Sequence, residues 1–157
     1  MQVIASHQGI LFKVCLMFAT PKSEELRDLY NDIVSRLWEG WPSFDYRSNE
    51  STWVYRVALN TALNQQRKER HRPTIVLVEE GTIEALCEER ESDLAQELYR
   101  LAERLLPDEK ALLRLYLDKK KEKEIALILG ISEQAVQSRI KRMKQKLIKY
   151  RKEEEAL

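Results

Sequence analysis

With only four glycines and four prolines in 157 residues, the chain lacks the turn-makers that a fold of many short strands needs. Its two cysteines, Cys15 and Cys87, lie far apart and belong to no CxxC or Cys/His cluster. That excludes a disulfide framework and a zinc site and points to a reducing, cytoplasmic setting with two partly buried thiols. No apolar run approaches the ~20 residues that span a bilayer. The segment 9–20 is apolar but broken by Lys13, and without a small-residue cleavage site it does not read as a signal peptide. There is no glycine-rich phosphate loop, and His7 and His71 have no obvious partners. Nothing therefore points to an enzyme, a metal, a cofactor or a small-molecule substrate.

What the chain does have is charge, unevenly placed. The formal net charge is only +1, although nucleic-acid-binding domains are often strongly basic. Residues 1–72 carry ten Lys/Arg against eight Asp/Glu, residues 73–104 three against nine, and residues 105–157 fourteen against nine. A mildly basic N-terminal unit, an acidic middle and a basic C-terminal unit result, the pattern of a protein that meets polyanions at particular places.

Helical periodicity runs through most of the sequence. Ile10, Val14 and Met17 mark one apolar stripe, and Leu26, Leu29, Ile33 and Leu37 mark a second. Pro21 and Ser23 separate the two helices. Residues 41–49 have a loop composition rich in aromatics, and a third helix is expected from about Thr52 to Arg70, with Val54, Val57, Ala58 and Ala62 inward. Pro73 ends it. Residues 73–92 are acidic and poorly periodic, and the β-branched run 74–78 has no partner strand, so the stretch reads as a linker. Helical pattern resumes at Asp93. The expected fold is all-α: two small helical domains, 1–72 and 93–157, joined by a flexible acidic linker, 73–92. Domains this small bury only about 60% of their unfolded surface, so each should be marginally stable without a partner.

The strongest local signal is the segment 123–140, KEIALILGISEQAVQSRI. Ile125, Ile128 and Leu129 form the apolar side of a short helix, and Gly130 stands where a left-handed residue closes it. Ile131 can fill the angle, Ser132 can cap the next helix, and Glu133 suits its positive end. Val136, Ile140, Met143 and Leu147 then fall on one face. This is the layout of a DNA-binding helix-turn-helix. At ~100° per residue, Gln134, Ser138 and Lys141 lie opposite the apolar face, with Gln137 at its edge, where they would meet base edges in a major groove. Arg139, Arg142 and Lys146 lie along one shoulder and Lys144 along the other, where phosphates run. Eight Lys/Arg and no acid occupy 139–152.

With that motif in hand, the N-terminal half becomes legible. The segments 28–38 (DLYNDIVSRLW), 51–64 (STWVYRVALNTALN) and 67–70 (RKER) closely resemble region 2 of the extracytoplasmic-function sigma factors, and 106–147 resembles their region 4. The resemblance implies a sigma subunit of bacterial RNA polymerase, with promoter DNA, core RNA polymerase and an anti-sigma factor as partners. Carried over by position, the helix 28–38 would dock on the polymerase clamp helices through Asp28, Asn31, Asp32, Ser35 and Arg36. The loop 44–52 and the following helix would read and open the minus-ten element. There Tyr46 and Trp53 offer stacking surfaces, Asn60 and Asn64 edge hydrogen bonds, and Arg56, Arg67, Lys68 and Arg70 phosphate contacts. Trp53 has a rival reading as a core aromatic. The helix-turn-helix would read the minus-thirty-five element, and the linker is either a solvated tether or the segment that threads a basic polymerase channel.

Three departures from the family pattern stand out. The N-terminus is shorter than is usual, and part of the first helix or a preceding segment is expected to be absent. Tyr46 and Glu50 stand where a glycine and an apolar residue are common. Gln137 and Lys141 occupy variable recognition positions, so the minus-thirty-five sequence cannot be copied from a relative. The alternative to the sigma reading is a stand-alone helix-turn-helix regulator that acts without polymerase docking.

Overall fold

A computed structural model describes residues 2–19, 23–68 and 93–157. Every regular element among the described residues is a helix, as the periodicity and the scarcity of glycine and proline predict. The chain divides into two compact units between Arg90 and Glu91. The expected linker, 73–92, lies outside the described residues, as does the end of the third predicted helix.

In the first unit, α1 (Gln2–Ser6), α2 (Gln8–Phe18), α3 (Glu24–Gly40) and α4 (Glu50–Lys68) surround one core, with a 3₁₀ turn at Trp41–Ser43. Helices α2, α3 and α4 pack against one another in all three pairings. The α1–α2 break falls at His7, whose Nδ1 donates to the Val3 carbonyl at 2.8 Å, a partner the sequence did not reveal. The α2 stripe is wider than Ile10, Val14 and Met17 suggest. Ile10 is only half-buried, while Leu11, Val14 and Cys15 are fully enclosed and Leu16, Met17 and Phe18 nearly so. A helix apolar on almost every side is a central helix, and α2 leaves Gly9 and Lys13 outside. Burial pushes the Cys15 thiol far up from its ordinary pKa, so it packs as a small hydrophobe rather than a reactive group. The neighbouring Tyr30 hydroxyl is pushed up to about 12, chiefly by burial and also by Cys15.

The starts of α3 and α4 are set by side-chain caps. The Ser23 hydroxyl accepts from the Leu26 N–H at 3.1 Å, and Glu24 and Glu25 occupy the first turn. At α4 the cap is the Asn49 carboxamide oxygen, which accepts from the Thr52 N–H at 2.8 Å. The helix therefore begins at Glu50, two residues before the start expected at Thr52, because Asn49 supplies the acceptor.

In the second unit α5 (Asp93–Ala102), α6 (Pro107–Leu117) and α7 (Glu122–Leu129) all pack on the long α8 (Glu133–Glu155). Leu101, Leu105, Leu112, Leu113, Leu115, Ile125, Ile128, Val136 and Met143 make the core. Pro107 opens α6, and the Glu109 carboxylate reaches back to accept from the Leu106 N–H at 2.9 Å. The far end of α8 is held to α5 by crossed ion pairs, Arg100–Glu154 at 2.8 Å, Arg104–Glu153 at 2.6 Å and Arg151–Glu97 at 3.5 Å. Glu153 and Glu154 are thus employed in fastening the end of α8, a use that composition alone does not show.

One ion pair among the described residues of this unit has both side chains buried. Arg114 is buried, donates to the Tyr99 hydroxyl at 2.8 Å and to Asp118 Oδ1 at 2.8 Å, and so ties α6 to α5. Its Nε has no partner among the described residues. A buried pair adds little net stability, but removing one member strands the other charge at a cost of about 3–5 kcal/mol. Asp118→Ala should therefore destabilise the second unit by about 3 kcal/mol in urea denaturation, whereas Glu154→Ala, which opens an exposed pair, should cost about 1 kcal/mol or less.

Candidate nucleic-acid interface

The turn between α7 and α8 determines what α8 can present. Gly130 adopts φ 68 and ψ 36, the left-handed conformation that only glycine takes without strain. The N–H groups of Gly130 and Ile131 both close onto the Ala126 carbonyl, at 2.9 and 3.1 Å. Ser132 accepts from the Ala135 N–H at 3.1 Å and starts α8 three residues after α7 stops. With Val136 and Met143 turned into the core and Ile140 and Leu147 half-buried, the opposite side of α8 is left to solvent.

Gln134, Gln137, Ser138, Arg139, Lys141, Arg142 and Lys144 are all exposed on that side, as helical geometry predicts. Several already have intramolecular partners. The Arg142 Nε donates to the Ser138 carbonyl one turn back at 3.4 Å. The Lys144 ammonium lies 4.7 Å from the centre of the Tyr116 ring. Gln137 Nε2 donates to Glu122 Oε2 at 2.7 Å. Arg139 and Arg142 open onto a groove of about 420 Å³ that is also lined by Asp108, Glu109, Leu112 and Leu129.

Lys146 departs from the sequence expectation. It is only half-exposed and its ammonium is paired with the Glu109 carboxylate. The Glu109 hydrogen bond, the largest influence, raises the Lys146 pKa. Since Glu109 also caps α6, Lys146 fastens α8 to the start of α6. The pairing gives Lys146 a packing role, and a phosphate would have to compete with the Glu109 carboxylate for it.

In the first unit the loop 41–49 forms an aromatic cluster. Phe44 stands 5.4 Å from Trp41, 5.2 Å from Trp53 and 4.6 Å from Tyr46, centroid to centroid. Trp53 also meets Trp41 edge-on at 5.8 Å, and a Cβ at Gly40 would come within 3.2 Å of its ring. Trp53 is thus half-buried and packed within this cluster. Tyr46 is 72% exposed and has φ 61. A tyrosine stands here in the left-handed backbone conformation that glycine adopts freely.

Arg56, Asn60, Asn64, Arg67 and Lys68 are exposed on α4; Arg70 lies outside the described residues. On α3, Asp28, Asp32 and Ser35 are half-exposed and Arg36 is exposed. Asn31 is the exception: it is 2% exposed and its side chain lies in the interior, so it is withdrawn from the polymerase face. Asn is a frequent surface residue, and its turn of α3 alone did not mark it as buried. The structure also joins what the sequence kept apart. Asp32 and Arg36 line one groove of about 310 Å³ with Asn60, Thr61, Asn64, Gln65 and Lys68. Across it Gln65 Nε2 donates to Asp32 Oδ2 at 3.3 Å. Gln65, Glu109 and Glu122 escaped sequence reasoning, since each matters through a residue on another helix.

Comparison with known proteins decides the family. Residues 3–72 match the family model for sigma-70 region 2, and residues 95–147 match that for sigma-70 region 4. The chain belongs to the sigma-70 family. As a sigma factor, it binds core RNA polymerase and promoter DNA and directs transcription initiation. The family acts through binding as transcription factors. A search of curated proteins finds no significant match. Among solved structures, the fold is similar to that in "Structure of CnrH in complex with the cytosolic domain of CnrY", at TM-score 0.65 and 22% identity, covering 93% of this chain and 82% of that one. It is likewise similar to the sigma factor RpoE in its co-crystal structure with the anti-sigma factor NepR from Bartonella quintana, at TM-score 0.65 and 19% identity, covering 94% of this chain and 95% of that one. No helix among the described residues is long and apolar enough to cross a membrane.

The distinction between a cation paired with an acid and one that is not is measurable. Arg142→Ala should weaken DNA binding about equally on all sequences and lower the salt slope by about one. Lys146→Ala should leave the salt slope nearly unchanged and instead lower the unfolding midpoint of the domain.

Proposed function

We propose that this sigma factor divides its work between region 2, within 1–72, and region 4, within 93–157, with the acidic stretch 73–92 as the connection. Region 4 reads the minus-thirty-five element with Gln134, Gln137, Ser138 and Lys141, while Arg139, Arg142 and Lys144 hold the flanking phosphates. The observation that carries this reading is the capped, left-handed turn at Gly130 and Ser132, which leaves those side chains together on the exposed side of α8.

Region 2 docks on the clamp helices of core polymerase through Asp28, Asp32, Ser35 and Arg36 on α3. Its α4 holds the minus-ten strand: Tyr46 stacks on a base, Asn60 and Asn64 bond base edges, and Arg56, Arg67, Lys68 and Arg70 meet phosphates. Because Asp32 and Arg36 share a groove with Asn60 and Asn64, polymerase docking shapes the surface that receives the strand. The protein acts in the cytoplasm, without catalysis of its own, and is held inactive by an anti-sigma factor. The solved RpoE complex with its anti-sigma factor, on the same fold, supports that last point.

Two experiments test the assignment. Asp32→Lys with Arg36→Glu should abolish copurification with core polymerase while leaving the helical circular dichroism intact; undiminished copurification would remove that face from the interface. Asn60→Ala with Asn64→Ala should leave duplex binding by region 4 untouched but reduce permanganate-reactive thymines near the start site in holoenzyme. A pre-melted template should restore much of the lost transcript. Wild-type opening by the double variant would refute the minus-ten role of α4.

A further inference from the structure

Gln137 is exposed on the recognition helix, yet its amide is not free. Its Nε2 donates to Glu122 Oε2 at 2.7 Å, a bond that bridges the two helices of the helix-turn-helix. A carboxylate only accepts, so the end of the amide that faces Glu122 is the NH₂ group. A hydrogen bond to an ionised acceptor is also about twice as strong as one between neutral groups. Glu122 and Glu124 both lie in the first turn of α7 and both suit its positive end, but the bond to Gln137 belongs to Glu122.

We infer that Glu122 is a specificity-determining positioning residue, which holds the Gln137 amide so that the minus-thirty-five base facing it must offer a hydrogen-bond donor, adenine in preference to guanine. The inference rests on Gln137 being a base reader. Bidentate pairing with adenine uses the amide oxygen, which accepts from N6, and one amide hydrogen, which is donated to N7. An NH₂ group has two hydrogens, so one can stay on Glu122 while the other serves adenine. Guanine presents two acceptors, N7 and O6, in the same groove. An unrestrained glutamine turns its NH₂ toward them; one whose NH₂ is held by Glu122 brings its oxygen against O6, acceptor against acceptor. The bond also orders the glutamine before DNA arrives, so less conformational entropy is lost on binding.

The test uses holoenzyme assembled from the full chain and core polymerase, with promoter libraries randomised through the minus-thirty-five element. Wild type should favour adenine over guanine at one position by about tenfold, and Gln137→Ala should flatten that position. Glu122→Ala should reduce the same ratio about fivefold and leave the ratios at other positions as they are. Glu122→Gln keeps the size of the side chain but can donate as well as accept, which lets the Gln137 amide turn over, and should act in the same direction. In the Gln137→Ala background neither Glu122 change should alter any ratio. If Gln137→Ala flattens a position and Glu122→Ala leaves that position unchanged, or scales every sequence equally, the inference is overturned while the base-reading role stands. If Gln137→Ala flattens no position, the base-reading role falls and takes the inference with it.

Discussion

The second domain depends on a change of chain direction completed between Leu129 and Glu133. Helix α7 must end, its last carbonyls must find donors, and α8 must begin with its first amide groups capped, all within three residues. Gly130 makes this possible by entering the left-handed region, where its own N–H and that of Ile131 return to Ala126. Ser132 then caps the next helix. The rotation of α8 follows from that turn: Val136 and Met143 face the core, and Gln134, Gln137, Ser138 and Lys141 are left exposed. A side chain with a Cβ at position 130 would strain the turn, and every contact made by α8 would shift with it.

Charge in this domain has two uses, which composition cannot separate. Arg114 is interior and matched to Asp118. Lys146 is tied to Glu109, and Arg100, Arg104 and Arg151 are spent on acids that join α5 to the end of α8. Each exposed pair contributes little alone, but together they define which cations are already neutralised. Arg139, Lys141 and Arg142 are exposed, and among the described residues none of them is joined by an ion pair to an acid that a phosphate would have to displace. The salt dependence of promoter binding therefore reflects a subset of the basic residues, not the net charge of the domain.

In region 2 the residues proposed for two partners share one small bundle. Asp32 and Arg36 on α3 and Asn60 and Asn64 on α4 line one groove because α3 and α4 pack side by side. Gln65 bridges to Asp32 across it. The aromatic cluster of Trp41, Phe44 and Trp53 fixes the loop between those helices, and Gly40 leaves room for the Trp53 ring. Tyr46 projects from that fixed base, which gives an exposed ring a defined position instead of a mobile one.

By itself the sequence determined the all-helical class, the helix-turn-helix with its glycine turn and serine cap, and the exposed residues of α8. These depend on helical periodicity and on contacts within four residues, which spacing encodes directly. Caps formed by unpatterned residues were less legible: Asn49 moved the start of α4 to Glu50, and His7 closed α1. Burial was misread where two neighbours enclose a helix, as at Leu11 and Leu16, or where a polar side chain turns inward, as at Asn31. Only the tertiary structure decided that Lys146 holds Glu109, that Gln137 is held by Glu122, and that Asp32 shares a groove with Asn64. Each of these relations joins residues on different helices, and the distance between such residues is set by helix packing, which no local pattern in the chain specifies.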